Sequence, residues 1–334
     1  MSFNERELKN LFNRIGGAML MFLLAFNLLC GGAYSIGESL LAVSNDVSTK
    51  ILVELLNSIA YIAAYSIPVW FFLLLSKDKN VQPFGLSVAF SKDRPALVSV
   101  AMMFLGTAAC FCASYVNSLL FPVSESASDL YFFNEAQAPY VLILMFISSA
   151  IVPAFVEELL FRGMILSSVR PYSESGAILI SAILFGLMHQ TPFQLFYTTV
   201  IGVILGVVRV KTGSIWVGVL VHFFNNLFST IQSYLLGCFD EQTGSVVYAT
   251  ITLITMAVGG ILGAVLYVKS LAQNERKDVV SLGFYGKSEK FSSHLSFGKE
   301  ARCVYKAFFA PALLLYVIFC GLTIISTAAL IWSA

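Results

Sequence analysis

Apolar residues form nine runs along the chain, separated by polar stretches. The runs cover about 12–34, 51–75, 95–121, 140–168, 176–190, 193–208, 214–236, 247–268 and 307–332. A helix needs about twenty apolar residues to cross a bilayer, so this pattern predicts an all-α polytopic transmembrane bundle. The fifth and sixth runs are short, and only His189-Gln-Thr-Pro192 separates them. They could form a tight hairpin that does not cross fully, so we expect eight or nine spans.

Composition supports a membrane protein. The chain is 58% hydrophobic and 12% charged over 334 residues, which leaves too few polar groups to coat a soluble globule. The formal net charge is +1 and no basic stripe is present, so we expect the lipid bilayer and no nucleic acid as partner. Six cysteines lie in or beside apolar runs without C-x-x-C spacing, and they are interpreted as small buried hydrophobic residues.

Basic residues occur in every second loop, which predicts an orientation. The intervening loops carry only Lys50, and 122–139 is acidic. The basic positions are Arg6, Lys9 and Arg14, then Lys77, Lys79, Lys92 and Arg94, then Arg162 and Arg170, then Arg209 and Lys211, and finally the segment 269–306. Cytoplasmic loops hold the excess of lysine and arginine, so we predict a cytoplasmic N-terminus and a first span that is retained. No internal repeat of the transporter kind is visible.

Three charged residues interrupt the fourth run, AIVPAFVEELLFRGMIL. Ionised groups at membrane depth are costly, so they usually face the bundle interior or a wet cavity and mark function. On an α-helix Glu158 and Arg162 share a face and can pair, whereas Glu157 points about 100° away. One carboxylate is therefore interpreted as structural and its neighbour as available.

Three further polar residues, His189, His222 and Asn226, lie in other apolar runs at a depth similar to that of Glu157. At about 1.5 Å per residue, Glu157, His189 and His222 lie roughly 12–20 Å from the cytoplasmic ends of their helices. Asn226 shares a face with His222. A glutamate beside an imidazole can take a proton from water, and a second imidazole with a carboxamide can stabilise an oxyanion. The set therefore favours hydrolysis of a carbonyl compound by water in an intramembrane active site.

These residues form three motifs: E-E-x-x-x-R at Glu157, Glu158 and Arg162, F-x-x-x-H at Phe185 and His189, and H-x-x-x-N at His222 and Asn226. In this order they resemble the CPBP family of intramembrane proteases, which includes the type II CAAX prenyl endopeptidases and the bacterial bacteriocin-processing or self-immunity (Abi) proteins. The resemblance covers roughly 140–230. It divides the chain into N-terminal transmembrane helices (1–139), a catalytic helical core (140–236), and C-terminal transmembrane helices (237–334) with a cytoplasmic loop near 270–306.

The resemblance implies a role for each motif residue. Glu157 is expected to be the general base, with His189 helping to hold and polarise the water. His222 and Asn226 are expected to form the oxyanion site. Glu158 and Arg162 are then a supporting ion pair and Phe185 packs beside the site, while Asn225 falls outside the motif.

The residues of the site allow two interpretations, one with a bound metal and one without. Glu157, His189 and His222 could supply three zinc ligands with water in the fourth place. The sequence has no H-E-x-x-H helix, and an amide, Asn226, occupies the i+4 position after His222. We therefore predict a metal-independent site that requires no cofactor, with zinc as the alternative.

The resulting prediction is an intramembrane endopeptidase reached from the cytoplasm of a bacterial plasma membrane. Its expected partner is a peptide substrate, either a prenylated C-terminal tail or a leader, signal or small secreted peptide. One alternative is a non-catalytic immunity or binding protein with the same fold, and a transporter is a second. The sequence leaves open which peptide is cut and whether another protein presents it.

Overall fold

A computed structural model describes residues 5–76, 96–120, 143–144, 146–239, 241–275 and 306–333. Every regular element in these ranges is helical, which confirms the all-α prediction. The elements are α1 (Glu5–Val43), α2 (Val47–Leu75), α3 (Ala96–Leu120), α4 (146–169), α5 (Glu174–Met188), α6 (Pro192–Thr212), α7 (Ile215–Cys238), α8 (Glu241–Glu275) and α9 (Pro311–Ser333).

Each predicted apolar run corresponds to one helix. Six of the described helices are long and apolar enough to cross a membrane, whereas α5 and the apolar part of α7 are shorter. The count of eight or nine spans stays a prediction. Helix α1, with 39 residues, is about 58 Å long, about twice the hydrocarbon thickness. It extends beyond its apolar run because a polar end can remain helical in water, and Glu5 and Glu7 suit its positive N-terminal dipole.

The core lies between α1, α2 and the helices from α4 to α7. Helix α1 contributes Phe12, Ile15, Met19 and Phe22, which repeat at helical spacing and are at most 1% exposed. Helix α8 lies at the periphery, and α9 turns one face, with Leu313, Tyr316 and Cys320, to the core. Only 11% and 17% of their most apolar windows are buried. Their exposed leucines and isoleucines suit contact with lipid.

Helices α5 and α6 form a tight hairpin built on small residues. A Cβ atom added to Gly202 would lie 2.8 Å from the Cα atom of Ala182, and one added to Gly186 would lie 3.0 Å from the carbonyl oxygen of Leu195. Such stripes of small residues let helix backbones approach closely in membranes. The hairpin therefore has a fixed register, and its turn places His189 against the helices of the core.

Helix α4 contains two stretches with π-helical hydrogen bonding, Phe146–Ile151 and Leu159–Leu166. Pro153, which lacks a backbone N–H, follows the first stretch. In the second, the carbonyl of Phe161 accepts from the Ser181 hydroxyl at 2.9 Å and that of Arg162 from the Ser167 hydroxyl at 2.8 Å. These side chains satisfy carbonyls that a regular ladder would use. The charged motif thus lies on a locally distorted helix.

The first and last helices meet near their N-terminal ends. The Oδ1 atom of Asn13 accepts from the backbone N–H of Ala312 at 3.2 Å, and a Cβ atom added to Gly16 would overlap the backbone of Leu313. The start of α1 and the segment before α9 therefore lie on one side of the bundle, as the predicted topology requires. Which side is cytoplasmic stays a prediction. The predicted basic loop at 77–94, the acidic loop 122–139 and most of 270–306 lie outside the described residues.

Asp46 caps the start of α2. Its Oδ1 atom accepts from the backbone N–H of Thr49 at 2.7 Å, and this hydrogen bond holds the pKa of the Asp46 carboxyl below its ordinary value. The cap fixes the short connection between α1 and α2.

Among the cysteines, Cys110 and Cys320 are buried as predicted, whereas Cys112 is exposed on α3. It lies on the outer face of an apolar helix, where a small apolar side chain can face lipid.

Candidate active site

Four ionisable residues are buried together at the centre of the bundle. Glu158 and Arg162 have no exposed surface, and Glu157 and His222 are 4% and 3% exposed. Helix α4 supplies the first three and α7 supplies His222. Charged groups are rarely buried unless they are paired, so their partners determine what the site can do.

Glu158 and Arg162 form the predicted ion pair. The Nη1 atom of Arg162 lies 2.7 Å from the Oε1 atom of Glu158, and its Nη2 atom donates to the carbonyl of Gly202 at 3.1 Å. The guanidinium also lies over the Phe185 ring, 4.6 Å from its centroid. Arg162 thereby joins α4 to the α5–α6 hairpin, and the close approach at Gly202 makes that carbonyl reachable.

His222 lies between the two glutamates. Its Nδ1 atom is 3.2 Å from the Oε1 atom of Glu158, and its Nε2 atom is 3.7 Å from the Oε2 atom of Glu157. A carboxylate at Nδ1 holds a proton there and fixes the orientation of the ring. The Nε2 atom is thereby directed toward Glu157. The sequence predicted that these groups lie at the same depth, and the structure brings them into contact.

Glu157 has a partner that the sequence did not predict. The hydroxyl of Tyr61 on α2 donates to its Oε1 atom at 2.5 Å, and the Tyr61 oxygen lies 3.1 Å from that of Tyr65. One oxygen of the carboxylate that the sequence left without a partner is therefore bound, and the availability of Glu157 for catalysis stays a prediction. A signal was available, since two tyrosines at i,i+4 in an apolar helix place two hydroxyls on one face.

Phe185 packs against the site, as the resemblance implied. Its ring centroid lies 5.1 Å from that of His189 and 5.7 Å from that of His222, with both pairs edge to face. Together with the Arg162 guanidinium, these contacts surround the ring. Phe185 thus keeps the two imidazoles apart and shields the ion pair from water.

His189 lies at the C-terminal end of α5. Its Nδ1 atom is 2.8 Å from the Phe185 carbonyl oxygen, a contact in which Nδ1 carries the proton and donates. This arrangement leaves Nε2 as the atom that can act on a ligand. The next residue, Gln190, has a φ of 54°, in the left-handed region that side chains other than glycine rarely adopt. The turn therefore holds His189 at some conformational cost.

A cavity of about 180 Å³ joins three of the four predicted catalytic residues. His189, His222 and Asn226 all line it, together with Phe185, Gln194, Tyr197, Thr198, Ile201, Asn225 and Ser229. Glu157 is absent from this lining and reaches the group through its contact with His222. The predicted set is thus gathered at one place, with the carboxylate at its edge.

Asn226 is held by a polar cluster that sequence reasoning missed. Its Oδ1 atom accepts from the Nδ2 atom of Asn225 at 3.3 Å, and Asn225 donates in turn to the Tyr197 hydroxyl at 3.0 Å. The Ser114 hydroxyl lies 3.2 Å from that of Tyr197. This bond fixes the oxygen end of the Asn226 carboxamide toward Asn225. The Nδ2 hydrogens of Asn226 are then available as donors. Asn225, which lies outside the motif, therefore supports the motif residue.

The residues named as alternative zinc ligands do not form a metal site in this geometry. Across the described ranges, no three histidine, cysteine, aspartate or glutamate side chains are grouped as ligands of one ion. Glu157, His189 and His222 therefore do not form such a group. Metal independence itself stays a prediction.

The fold and this site define an integral membrane protein with a buried acid–imidazole centre. Residues 139–228 match the family model of the type II CAAX prenyl endopeptidase Rce1-like proteins, so this part of the chain is similar to that family. The match confirms the resemblance to the CPBP proteases. It contains all seven motif residues and excludes α1, α2 and α3.

A curated relative supports the same assignment. The chain is 33% identical over 92 residues to a Bacillus subtilis (strain 168) protein named "Putative membrane peptidase YdiL". That alignment covers 27% of this chain and 37% of the relative, so it spans little more than a third of the relative's length. No solved structure matches the chain.

Proposed function

We propose that the protein is an intramembrane endopeptidase that cuts a peptide bond with a glutamate-activated water. The observation that carries the proposal is the shared cavity of His189, His222 and Asn226, with Glu157 in contact with His222. Nothing in this set requires a serine or cysteine nucleophile. The family of the matched segment and the name of its relative point to the same reaction class.

Glu157 acts as the general base in this proposal. It accepts a proton from water while the water oxygen attacks the carbonyl carbon of the scissile bond. His189 holds the water through its Nε2 atom, because its Nδ1 atom is bound to the Phe185 carbonyl. When the C–N bond breaks, the proton on Glu157 passes to the leaving nitrogen, so the products are a carboxylic acid and an amine.

His222 and Asn226 stabilise the oxyanion of the tetrahedral intermediate. A doubly protonated His222 donates one N–H to Glu158 and presents the other, at Nε2, to the oxyanion. With both glutamates and Arg162 ionised, this state makes the four buried groups neutral together, which suits a low-dielectric site. Asn226 supplies the second donor from Nδ2, held in place by Asn225.

The proposed substrate is a membrane-associated or small secreted peptide, reached from the cytoplasmic side of a bacterial plasma membrane. Two classes follow from the family: prenylated C-terminal tails, and unprenylated leader, signal or bacteriocin-type peptides. We propose the unprenylated class, since the curated relative is bacterial.

The test uses purified full-length protein and a peptide library, with prenylated and unprenylated members assayed separately. We expect Glu157→Gln to lower kcat by about 100-fold or more and His222→Ala to lower it comparably, while both variants keep the wild-type helical content. Chelator in a parallel arm should leave cleavage unchanged. If Glu157→Gln cleaves like the wild type, Glu157 is not the general base. If the wild type cleaves nothing and Glu157→Gln keeps the cellular phenotype, the protein is a binder of the same fold.

A further inference from the structure

A second cavity, of about 290 Å³, adjoins the site between α1, α2 and the α5–α6 turn. We call it the aromatic–amide cavity. It shares His189 and Gln194 with the cavity of the candidate active site. Its lining consists of Phe22, Phe26, Asn27, Tyr61, Tyr65, Met188, His189, Gln190 and Gln194. Most of these residues lie outside 139–228, so the segment that matches the family model does not define this cavity.

Aromatic rings form a continuous wall of this cavity. The centroid of Tyr65 lies 4.8 Å from that of Phe22 and 4.6 Å from that of Tyr61, and the Tyr61 centroid lies 6.1 Å from that of Phe26. Rings packed in this way have little rotational freedom. The wall is therefore preformed, and its member Tyr61 also donates to Glu157. A ligand on this wall is close to the proposed general base.

Three carboxamides line the same cavity. Asn27 uses its Nδ2 atom for the carbonyl of Leu23 at 2.8 Å. Within the described part of the chain, no hydrogen-bond partner is found for its Oδ1 atom or for the side-chain amides of Gln190 and Gln194. A carboxamide offers both donors and acceptors, which is the complement of a peptide backbone. Asn27 and Gln194 are exposed and Gln190 is half-buried, so these carboxamides are open to a ligand that enters the cavity.

Gln190 is held in an unfavourable conformation at this position. Its φ of 54° lies in the left-handed region, which residues other than glycine adopt only at an energetic cost. Glycine would adopt this turn without strain. That a long carboxamide occupies the position, and lines the cavity, points to a role for the side chain in binding.

We propose that the aromatic–amide cavity binds, in extended form, the peptide segment that flanks the scissile bond on one side. A peptide cut at membrane depth must unwind, and its freed N–H and C=O groups then need partners that lipid cannot supply. The carboxamides pair with those groups, while the aromatic wall receives an apolar side chain. At about 290 Å³ the cavity is at the small end of ligand pockets, which suits a short segment. This inference rests on the proposed function.

The test compares variants of residues found only in this cavity with matched substitutions elsewhere. Asn27→Leu removes a carboxamide, and Phe26→Ala removes part of the wall. The matched controls are Gln242→Leu on α8, which lines neither cavity, and Leu28→Ala, which is 66% exposed on the outer side of α1. All are assayed on prenylated and unprenylated peptides in separate reactions, and the cleavage sites are identified by mass spectrometry.

We expect Asn27→Leu and Phe26→Ala to raise KM for the preferred peptide about fivefold or more, with kcat within about twofold of wild type. The preferred residues should change on one side of the cut only, and the controls should match wild type. Wild-type KM and site preference in both cavity variants would overturn the inference while leaving the proposed function intact. An effect confined to prenylated peptides would also overturn it, since the cavity would then hold the lipid. If the wild type cuts no peptide, the result contradicts the proposed function and, with it, this inference.

Discussion

Tyr61 on α2 donates a 2.5 Å hydrogen bond to Oε1 of Glu157 on α4, across 96 positions of the chain. This bond connects a helix outside the family-matched segment to the proposed base. It holds one carboxylate oxygen while the other, Oε2, lies 3.7 Å from His222. The Tyr61 hydroxyl is therefore a positioning group for Glu157, whereas the Tyr61 ring belongs to the wall of the aromatic–amide cavity.

Removing that hydroxyl should impair turnover more than binding. We predict that Tyr61→Phe lowers kcat by about tenfold, since hydrogen bonds to charged groups contribute about 1.5–3 kcal/mol, while KM changes by less than about threefold. Steady-state kinetics on one unprenylated peptide measures both. Tyr65→Phe is the matched control, because the Tyr65 hydroxyl contacts Tyr61 and the Met188 sulfur and has no bond to Glu157. Equal losses of kcat in the two variants would show that the direct bond from Tyr61 to Glu157 has no special role in turnover.

The ion pair of Glu158 and Arg162 should behave differently from Glu157. Glu158→Gln leaves the fully buried guanidinium without its counter-charge, so we predict destabilisation by about 3–5 kcal/mol. Unfolding by SDS titration, followed by circular dichroism, measures the free energy. Glu157→Gln, which keeps a group able to accept from Tyr61, should stay within about 1 kcal/mol of wild type.

A double variant shows whether stability is lost because the ion pair is absent or because one buried charge is left without its partner. Replacing both partners, as Glu158→Gln with Arg162→Met, removes the uncompensated charge and should recover part of the lost stability. If the double variant loses the sum of the two single losses, the two residues do not stabilise the fold as a pair.

Much of the fold could be predicted from the sequence because lipid simplifies the problem. Each apolar run became one helix, since a helix is the only way for a single segment to satisfy its backbone in a bilayer. The grouping of His189, His222 and Asn226 was also predictable, because polar residues at equal depth turn toward one another.

The contacts made by Glu157 were not predictable in the same way. Glu157 lies in the α-helical stretch Val152–Glu158, so helical spacing gives its direction relative to Glu158 but not the residues that it meets on other helices. Its partner Tyr61 comes from a distant part of the chain, and which face of α2 turns inward depends on packing against α1 and α4. Asn225 was set aside for its spacing, yet its amide reaches Asn226, its direct neighbour in sequence.

The close contact of α5 and α6 predicts a sharp difference between glycines. In Gly202→Ala the new Cβ atom would lie 2.8 Å from the Cα atom of Ala182, so the helices must move apart and the Gly202 carbonyl must shift from Arg162. We predict a loss of about 1–3 kcal/mol in the free energy of unfolding. Gly32→Ala in α1 is the control, because nothing lies within 4 Å of its added Cβ atom. That variant should be as stable as wild type or more stable by up to about 1 kcal/mol. Equal losses would contradict the hairpin packing.

The strained turn at Gln190 allows conformation and side chain to be separated. Gln190→Gly and Gln190→Ala both remove the carboxamide, but only glycine relieves the left-handed φ of 54°. We predict that the glycine variant is the more stable of the two by about 1 kcal/mol, measured by the same SDS titration. Both variants should raise KM alike, since both lose the same amide from the aromatic–amide cavity. An alanine variant as stable as the glycine variant would show that the turn stores no strain. A KM that rises in only one of them would mean that backbone geometry, and not the carboxamide, governs binding.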